Sequence, residues 1–422
     1  MGAALALCEA GHEITVFEKD LRPGGHAATV DIEHSGAKIA VDTGFIVYNT
    51  LNYPNFTPML EWLGVATPAS DMSWSVSADR GRFEWCGRDG GGVLRSLFAQ
   101  RSNLLSPGFL GMLLQVGRFQ TQARGDLQRG TIGDGSLGDY LTRHRFSARL
   151  RDDYLAPMGA AIWSTSPAKM LEFPATSFIS FFDNHCLLQW NRPQWRTVTG
   201  GSRSYVLAVM RRLGDRVRLG ACVTELHRDA NGVEVVDADG RRERFDHAVI
   251  AAHAPDALAM LADADAKEMD VLGACSYSAN DVVLHCDPRL MPKRKDAWAA
   301  WNFLREGADD TRKVAVTYWM NVLQGIDPSC PTFITLNPPF EPDPALVFGR
   351  YSYDHPQFDL AALEARNKLG DIQGRRRTWF CGAWTGHGFH EDGLVSGLSV
   401  AWALGAEAPW TVVEEPLRTA AA

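Results

Sequence analysis

Two clusters, one near each end of the chain, have residue types and spacings that could do chemistry. The first is Glu18, Arg22, Gly24, Gly25 and His26 in FEKDLRPGGHAAT. An acid that closes a β-branched strand can accept hydrogen bonds from ribose hydroxyls. Arg22 can meet a phosphate or fix the loop by a bidentate carboxylate contact. The paired glycines let backbone pass under a ligand where a Cβ would collide. The second cluster is TWFCGAWTGHGFHEDGLVSGLSVAWALG, containing Gly382, Trp384, His390, Asp392, Gly393, Leu394 and Gly397. It reads as a short strand, a loop of glycines, aromatics and histidines, and a helix from Gly393 to Leu404 with a small face of Gly393, Ser396, Gly397 and Ala401. A helix start aimed into a site stabilises negative charge, and Glu391 and Asp392 stand where capping residues belong. His390 suits an acid or base working near neutrality, or equally a structural imidazole bonded to backbone. His387 and His390 have no third ligand at metal spacing, so no metal is expected.

These residues need elements to hold them. GAALALCEA reads as a helix ended by Gly11, and EITVFE as a buried strand that delivers Glu18. A helix feeding a strand that ends in an acid is the second half of a βαβ nucleotide-binding unit. The glycine-rich turn of such a unit lies ~20 residues before the acid, which here falls before Met1. The reading therefore expects a unit without its central first strand and glycine loop. DIEHSGAKIAVD reads as a hairpin turning at Ser35 and Gly36, delivering Asp42, Thr43, Gly44 and Phe45 to a strand end. Tyr48 and Asn49 follow, either beside the chemistry or in a packed turn.

Further along, residues 54 to 64 read as a short amphipathic helix, and MSWSV and FEWCG as strands of a second layer. From Leu94 to Leu127 the pattern is helical, and SPGFLGMLLQVGRF is the most apolar surface candidate. It could line a tunnel, dip into a membrane surface or pack as a cap helix. Gly200 and Gly201 open a helix whose free amides suit an anionic or carbonyl ligand. VRLGACVTEL reads as a strand pair, and the strand ending AVIAAHAP precedes a helix from Pro255. Lys293, Arg294 and Lys295 form either a solvated rim or a gate for acidic lipids or carboxylates.

Composition narrows the function classes. The 422 residues are 45% hydrophobic and 22% charged, with 42 basic against 50 acidic residues, a net charge of −8. This is globular composition with no long run of like charge, and it argues against nucleic acid as a partner. The eight cysteines are scattered without a C-x-x-C pair, which fits reduced thiols in the cytoplasm. Thirteen Trp and twenty Phe serve either core packing or a flat aromatic ligand.

The E-x-x-x-R-x-G-G element resembles the second signature of FAD-dependent oxidoreductases of the amine oxidase and phytoene desaturase type. G-A, a loop, and E-D-G-L-x-S-G at the head of the last helix resemble the third signature, so the resemblance spans essentially the whole chain. It implies an α/β fold: a Rossmann-like FAD-binding domain lacking its first strand and glycine loop (1–50, 199–258 and 350–422), and a mixed α+β substrate domain (51–198 and 259–349). It also implies that Glu18 holds ribose, that Arg22, Gly24 and Gly25 line the pyrophosphate and flavin side, and that Val223 touches adenine. Gly393 and Leu394 would offer amides to the flavin pyrimidine. His26, Thr43, Gly44, Phe45, Gly382, Asp392 and Gly397 complete the implied FAD site, with His390, Tyr48 and Trp384 near the reacting centre. Some relatives are associated with fatty-acid-modifying methyltransferases, which points to a lipid-like substrate; peripheral membrane contact rests on the apolar stretch SPGFLGMLLQVGRF alone.

Amine oxidases of this type usually place a lysine in the substrate domain, and no lysine lies between Lys267 and Lys293. Hydride removal giving a C=C or C=N bond is therefore expected ahead of simple amine oxidation. A cofactor-free, catalytically silent homologue acting as a partner is the alternative from another class.

Overall fold

The computed structural model describes residues 1–34, 36–88, 93–189, 193–307 and 314–413. Its first helix spans Gly2–Glu9 and stops before Gly11, whose φ of 89° suits a residue without Cβ. The strand Val16–Glu18 follows and pairs in parallel with Val217–Leu219. A second parallel pair joins Ala248–Ile250 to Thr378–Phe380. Among the described residues no strand connects the two pairs, and Val16 and Glu18 on one side and Ala248 and Ile250 on the other line one cavity.

The last helix, His390–Ala403, closes over the first. A Cβ on Gly397 would stand 3.2 Å from the Ala3 amide, and one on Gly2 would stand 2.6 Å from Leu394 Cδ1. Within the small face read from the sequence, Gly397 meets the first helix, while Gly393 faces Ala383 and Ser396 bonds Gly382. The helix starts at His390 rather than Gly393, because Asp392 Oδ2 accepts the Phe389 amide at 2.9 Å and caps one turn earlier.

The hairpin Thr29–His34 with Ala37–Asp42 pairs as the alternation predicts, although Ser35 of its turn lies outside the described residues. Three antiparallel strands, Val223–Asp229, Gly232–Asp237 and Arg242–Phe245, flank the Glu18 strand pair, with Phe17 set edge-on to Phe245. The large sheet has seven strands in the order Val347–Pro356, Tyr277–His285, Phe333–Leu336, Ala315–Trp319, Trp301–Arg305, Trp74–Ala78 and Phe83–Gly87. Its neighbours are antiparallel except Trp301–Arg305 with Trp74–Ala78. The strand Val347–Pro356 therefore places residues just after 350 in this sheet.

Helices cover the sheet, and the apolar stretch after Leu94 divides among three elements. They are Val93–Leu97, a 3-10 turn Arg101–Leu105 and the helix Pro107–Arg129. The long helix begins where Ser106 Oγ accepts the Phe109 amide with Pro107 at its first position, and it ends at Gly130 with φ 67°. Phe109, Met112 and Phe119 bury its inner side. Among the described residues no helix is long and apolar enough to cross a membrane.

Candidate active site

The Glu18 loop is braced from within. Arg22 turns back, donating from Nη2 to Gly25 O at 2.7 Å and from Nη1 to Ala27 O at 3.1 Å. The guanidinium fixes the loop through backbone carbonyls, not through the carboxylate expected of it. Gly24 has φ 110° and Gly25 φ 55°, and a Cβ on Gly24 would stand 2.8 Å from Ala27 O. The strand-end segment runs alongside: Thr43 N donates to Ala28 O at 2.8 Å and Phe45 N to His26 O at 2.9 Å. Gly44 packs so closely on the His26 carbonyl that no Cβ fits.

His26 stands at the centre of a ring cluster that the sequence did not reveal. Tyr353, His355 and His253 lie 5.0, 5.7 and 5.8 Å from it, centroid to centroid. Burial lowers His26, and the neighbouring His253 imidazole lowers it further; burial brings His355 down to about 4. All three rings line the cavity. Thr43 Oγ1 and Tyr353 OH share a hydrogen bond of 2.7 Å, tying the strand-end loop to the large sheet. His253 sits where a strand runs into a helix, a position that the rule of ligands at strand ends could have flagged.

The C-terminal cluster supplies the opposite wall. Gly382 has φ 144°, its amide donates to Ser396 Oγ at 2.9 Å, and a Cβ there would strike Trp384. Trp384 lines the cavity at 4% exposure, and its buried Nε1 has no hydrogen-bond partner among the described residues. Gly393, Leu394 and Gly397 line the cavity, as does Val223. The Gly393 amide donates to Phe389 O at 3.1 Å, so it is not the free donor expected of it. Asp392 stands behind the wall as the helix cap. Glu391 leaves its expected place and caps another helix, accepting from Asn55 N and Phe56 N at 2.9 Å each.

Two of the residues expected near the reacting centre need correction. Tyr48 is 1% exposed and packs in the core against Tyr53 and Phe56, off the cavity wall. His390 lines the cavity, but it stacks on Phe45 at 3.7 Å and shares a 2.8 Å hydrogen bond between Nε2 and Tyr205 OH. Burial pulls its pKa down to about 3, so it stays neutral at physiological pH instead of titrating near it. His387 and His185 are the imidazoles on the chamber side, both lowered by burial, with Arg366 Nη1 donating to Gly386 O at 2.6 Å behind them.

The two walls enclose a cavity of about 2720 Å³, several times the ~300–1,000 Å³ of a drug-sized pocket. One end is lined by Glu18, Arg22, Gly24, Gly25 and the start of the first helix, where orphan amides suit an anion. The other end is a chamber walled by Trp74, Trp163, Phe181, Trp301, Tyr318 and Phe389. The positive-φ glycines, the close Gly44 contact, the helix start and the unpartnered Nε2 of His26 fit an extended dinucleotide. Among the described residues no cluster of His, Cys, Asp or Glu is arranged to hold a metal.

A cleft that fits a dinucleotide, continuous with an aromatic chamber, is an arrangement that a flavin-dependent oxidoreductase can use. The family model for flavin containing amine oxidoreductases matches residues 1–321. The chain belongs to this family, and it is an FAD-dependent oxidoreductase. No curated protein matches it by sequence. Among solved structures it is similar to a cofactor-binding redesign of putrescine oxidase, at 16% identity and TM-score 0.67, covering 96% of this chain and 95% of the other. Cyclohexylamine oxidase from Brevibacterium oxydans gives 17% identity and TM-score 0.66, with 96% and 95% covered. The CLA-producing fatty acid isomerase from P. acnes gives 13% identity and TM-score 0.63, with 94% of each covered. At these identities the likeness is one of fold.

Proposed function

We propose that this enzyme removes a hydride from a C–H bond of an apolar, lipid-like substrate lying in the aromatic chamber, leaving a C=C bond. The chamber wall carries the proposal: indole, phenol and phenyl rings line it beside the His185 and His387 imidazoles and the Asp71 carboxylate, and the lysine that lines the cavity among the described residues, Lys19, is next to Glu18 in the chain. Bound FAD supplies a two-electron acceptor for the hydride. In this reading Glu18 holds the ribose, the Arg22-braced glycines lie under the pyrophosphate, and Val223 meets adenine. The discontinuous unit 1–50, 199–258 and 350–422 is then the FAD-binding part, apart from the strand residues 350–356 that join the large sheet, and 51–198 with 259–349 the substrate part. The rings of Trp163, Trp301 and Phe181 orient the chain and exclude water. The proton that leaves with the hydride has His185 and His387 to receive it, both held neutral by burial. A fold relative that is a fatty acid isomerase is compatible with an acyl chain in this chamber. Cytoplasmic work at a lipid surface completes the reading, supported by eight cysteines without a disulfide among them.

A second reading is amine oxidation. The family favours it, and Asp71 places one carboxylate on the chamber wall, although its Oδ1 already accepts the Ser73 amide at 2.8 Å. Anaerobic mixing of the flavin-loaded enzyme with unsaturated and saturated acyl lipids, putrescine and cyclohexylamine separates the two. Bleaching of the flavin band by an acyl lipid alone supports the proposal; bleaching by the amines alone replaces it with the second reading.

A further inference from the structure

The face made by Val93–Leu97, the turn Arg101–Leu105 and the first half of Pro107–Arg129 takes no part in the cavity. Between Val93 and Arg118 the chain has three arginines and no acidic residue. Leu94, Leu104, Leu105 and Leu114 are 72%, 51%, 88% and 78% exposed, although leucine is among the residues most often buried. On the long helix, Leu110, Leu114 and Arg118 recur every four residues as an outer ridge, opposite the buried Phe109, Met112 and Phe119.

Cations frame these leucines. Arg101 and Lys295 are exposed, form no ion pair among the described residues, and line one shallow cleft with Gln100, Ser102 and Arg294. The acid of that cleft, Asp296, is neutralised by Arg95 at 2.8 Å. Arg294 is held by the buried Glu84 at 2.8 Å, with the Lys293 and Arg294 amides donating to the same carboxylate. Lys293–Lys295 is therefore not a gate of three free charges, because Arg294 serves Glu84 while Lys293 and Lys295 remain exposed.

We propose that this face docks the enzyme on an anionic lipid surface. Leu104, Leu105, Leu110 and Leu114 enter the acyl boundary, and Arg101, Lys293 and Lys295 meet the headgroup phosphates. Exposed apolar side chains beside cations that form no ion pair among the described residues supply the two components of interfacial binding. A second copy of the chain seated on the same face would bring two cationic rims together, which favours an anionic partner over self-association. The docking is independent of the reaction proposed above, so either can fail alone.

Flotation of the flavin-loaded full chain with vesicles of phosphatidylcholine, or of phosphatidylcholine mixed with phosphatidylglycerol, tests it. Binding to the mixed vesicles, weakened by salt and slight on phosphatidylcholine alone, is the expected result. The pair Leu105→Glu with Leu114→Glu should lower the bound fraction about tenfold, and Arg101→Glu with Lys295→Glu should remove the preference for the anionic lipid. These side chains are at the surface, so an unchanged circular dichroism spectrum and flavin content should accompany the loss. Failure of the wild-type chain to bind mixed vesicles overturns the proposal, as does full binding by the leucine pair variant. A wild-type dimer that the leucine pair variant converts to monomer in light scattering, with vesicle binding unaltered, assigns the face to a second copy instead.

Discussion

Ser202 donates its amide to both carboxylate oxygens of Asp42, at 2.8 and 3.0 Å, and its hydroxyl to the same group at 2.8 Å. Thr29 Oγ1 and Gln324 Nε2 add donors at 2.6 and 2.9 Å. The glycine pair before Ser202 and the amides of the following helix suggested a place for an external anion. The chain fills that place with its own carboxylate, and Gly201 lies too close to Thr29 and Asp42 to carry a side chain.

Burial pushes Asp42 up to about 6 despite these donors. A carboxyl raised from its unfolded value contributes stability below pH ~4 that is lost as pH rises through ~6. Four buried histidines act in the opposite sense: His185, His285 and His355 fall to about 4 and His390 to about 3. Each is neutral in the folded chain, so stability falls as pH drops below ~6.5 and the unfolded chain takes up protons. His26, His253 and His387 are lowered as well, so the lowered histidines outnumber the raised carboxyls Asp42, Glu391 and Asp392, and the melting temperature should rise from pH 4 to 6.5. Asp42→Asn, which removes one opposing group, should make that rise steeper; a shallower rise would contradict the assignment.

Glu18→Ala should weaken FAD binding about tenfold, the loss of one or two hydrogen bonds to ribose, without changing the circular dichroism spectrum. Titration of the cofactor-stripped protein followed by flavin fluorescence reads the change. An unaltered dissociation constant would place the ribose elsewhere.

Gly44→Ala should destabilise the protein by about 1–3 kcal/mol, because the new methyl group meets the His26 carbonyl and neither backbone can move freely. Denaturant unfolding measures it. Gly11→Ala, with nothing within 4 Å of its Cβ, isolates the cost of positive φ alone and should lose only about 1 kcal/mol.

His387→Gln and His390→Phe separate one of the two imidazoles proposed to take up the proton from the one held by packing. The first should slow substrate-dependent flavin reduction by ~10²-fold and leave FAD affinity intact. The second keeps the stack on Phe45 but strands the Tyr205 hydroxyl, so its main effect should be on stability. The reverse pattern would return the acid-base role to His390.

Local chemistry was legible in the sequence where it is local in space. Glu18, Arg22, Gly24 and Gly25 sit in one loop, and the small face of the last helix has helical periodicity. The start of that helix was misread because Gly393 looks like a boundary, whereas the Phe389–Asp392 cap acts three residues earlier. Tyr48 follows a strand end in the sequence, which suggests a site wall or a packed turn, whereas it lies in a short strand, Val47–Asn49, with its ring in the core. The His26, His253 and His355 cluster was invisible because its rings come from three distant segments, and the Arg294–Glu84 pair for the same reason.

The most direct test of the account is the visible absorption spectrum of the purified 422-residue chain, with any released cofactor identified after denaturation. Flavin bands from bound FAD, present on purification or restored by added FAD, are predicted. A correctly folded protein that stays colourless in excess FAD would contradict the cradle assigned to Glu18, Arg22 and the last helix, and would favour the cofactor-free homologue.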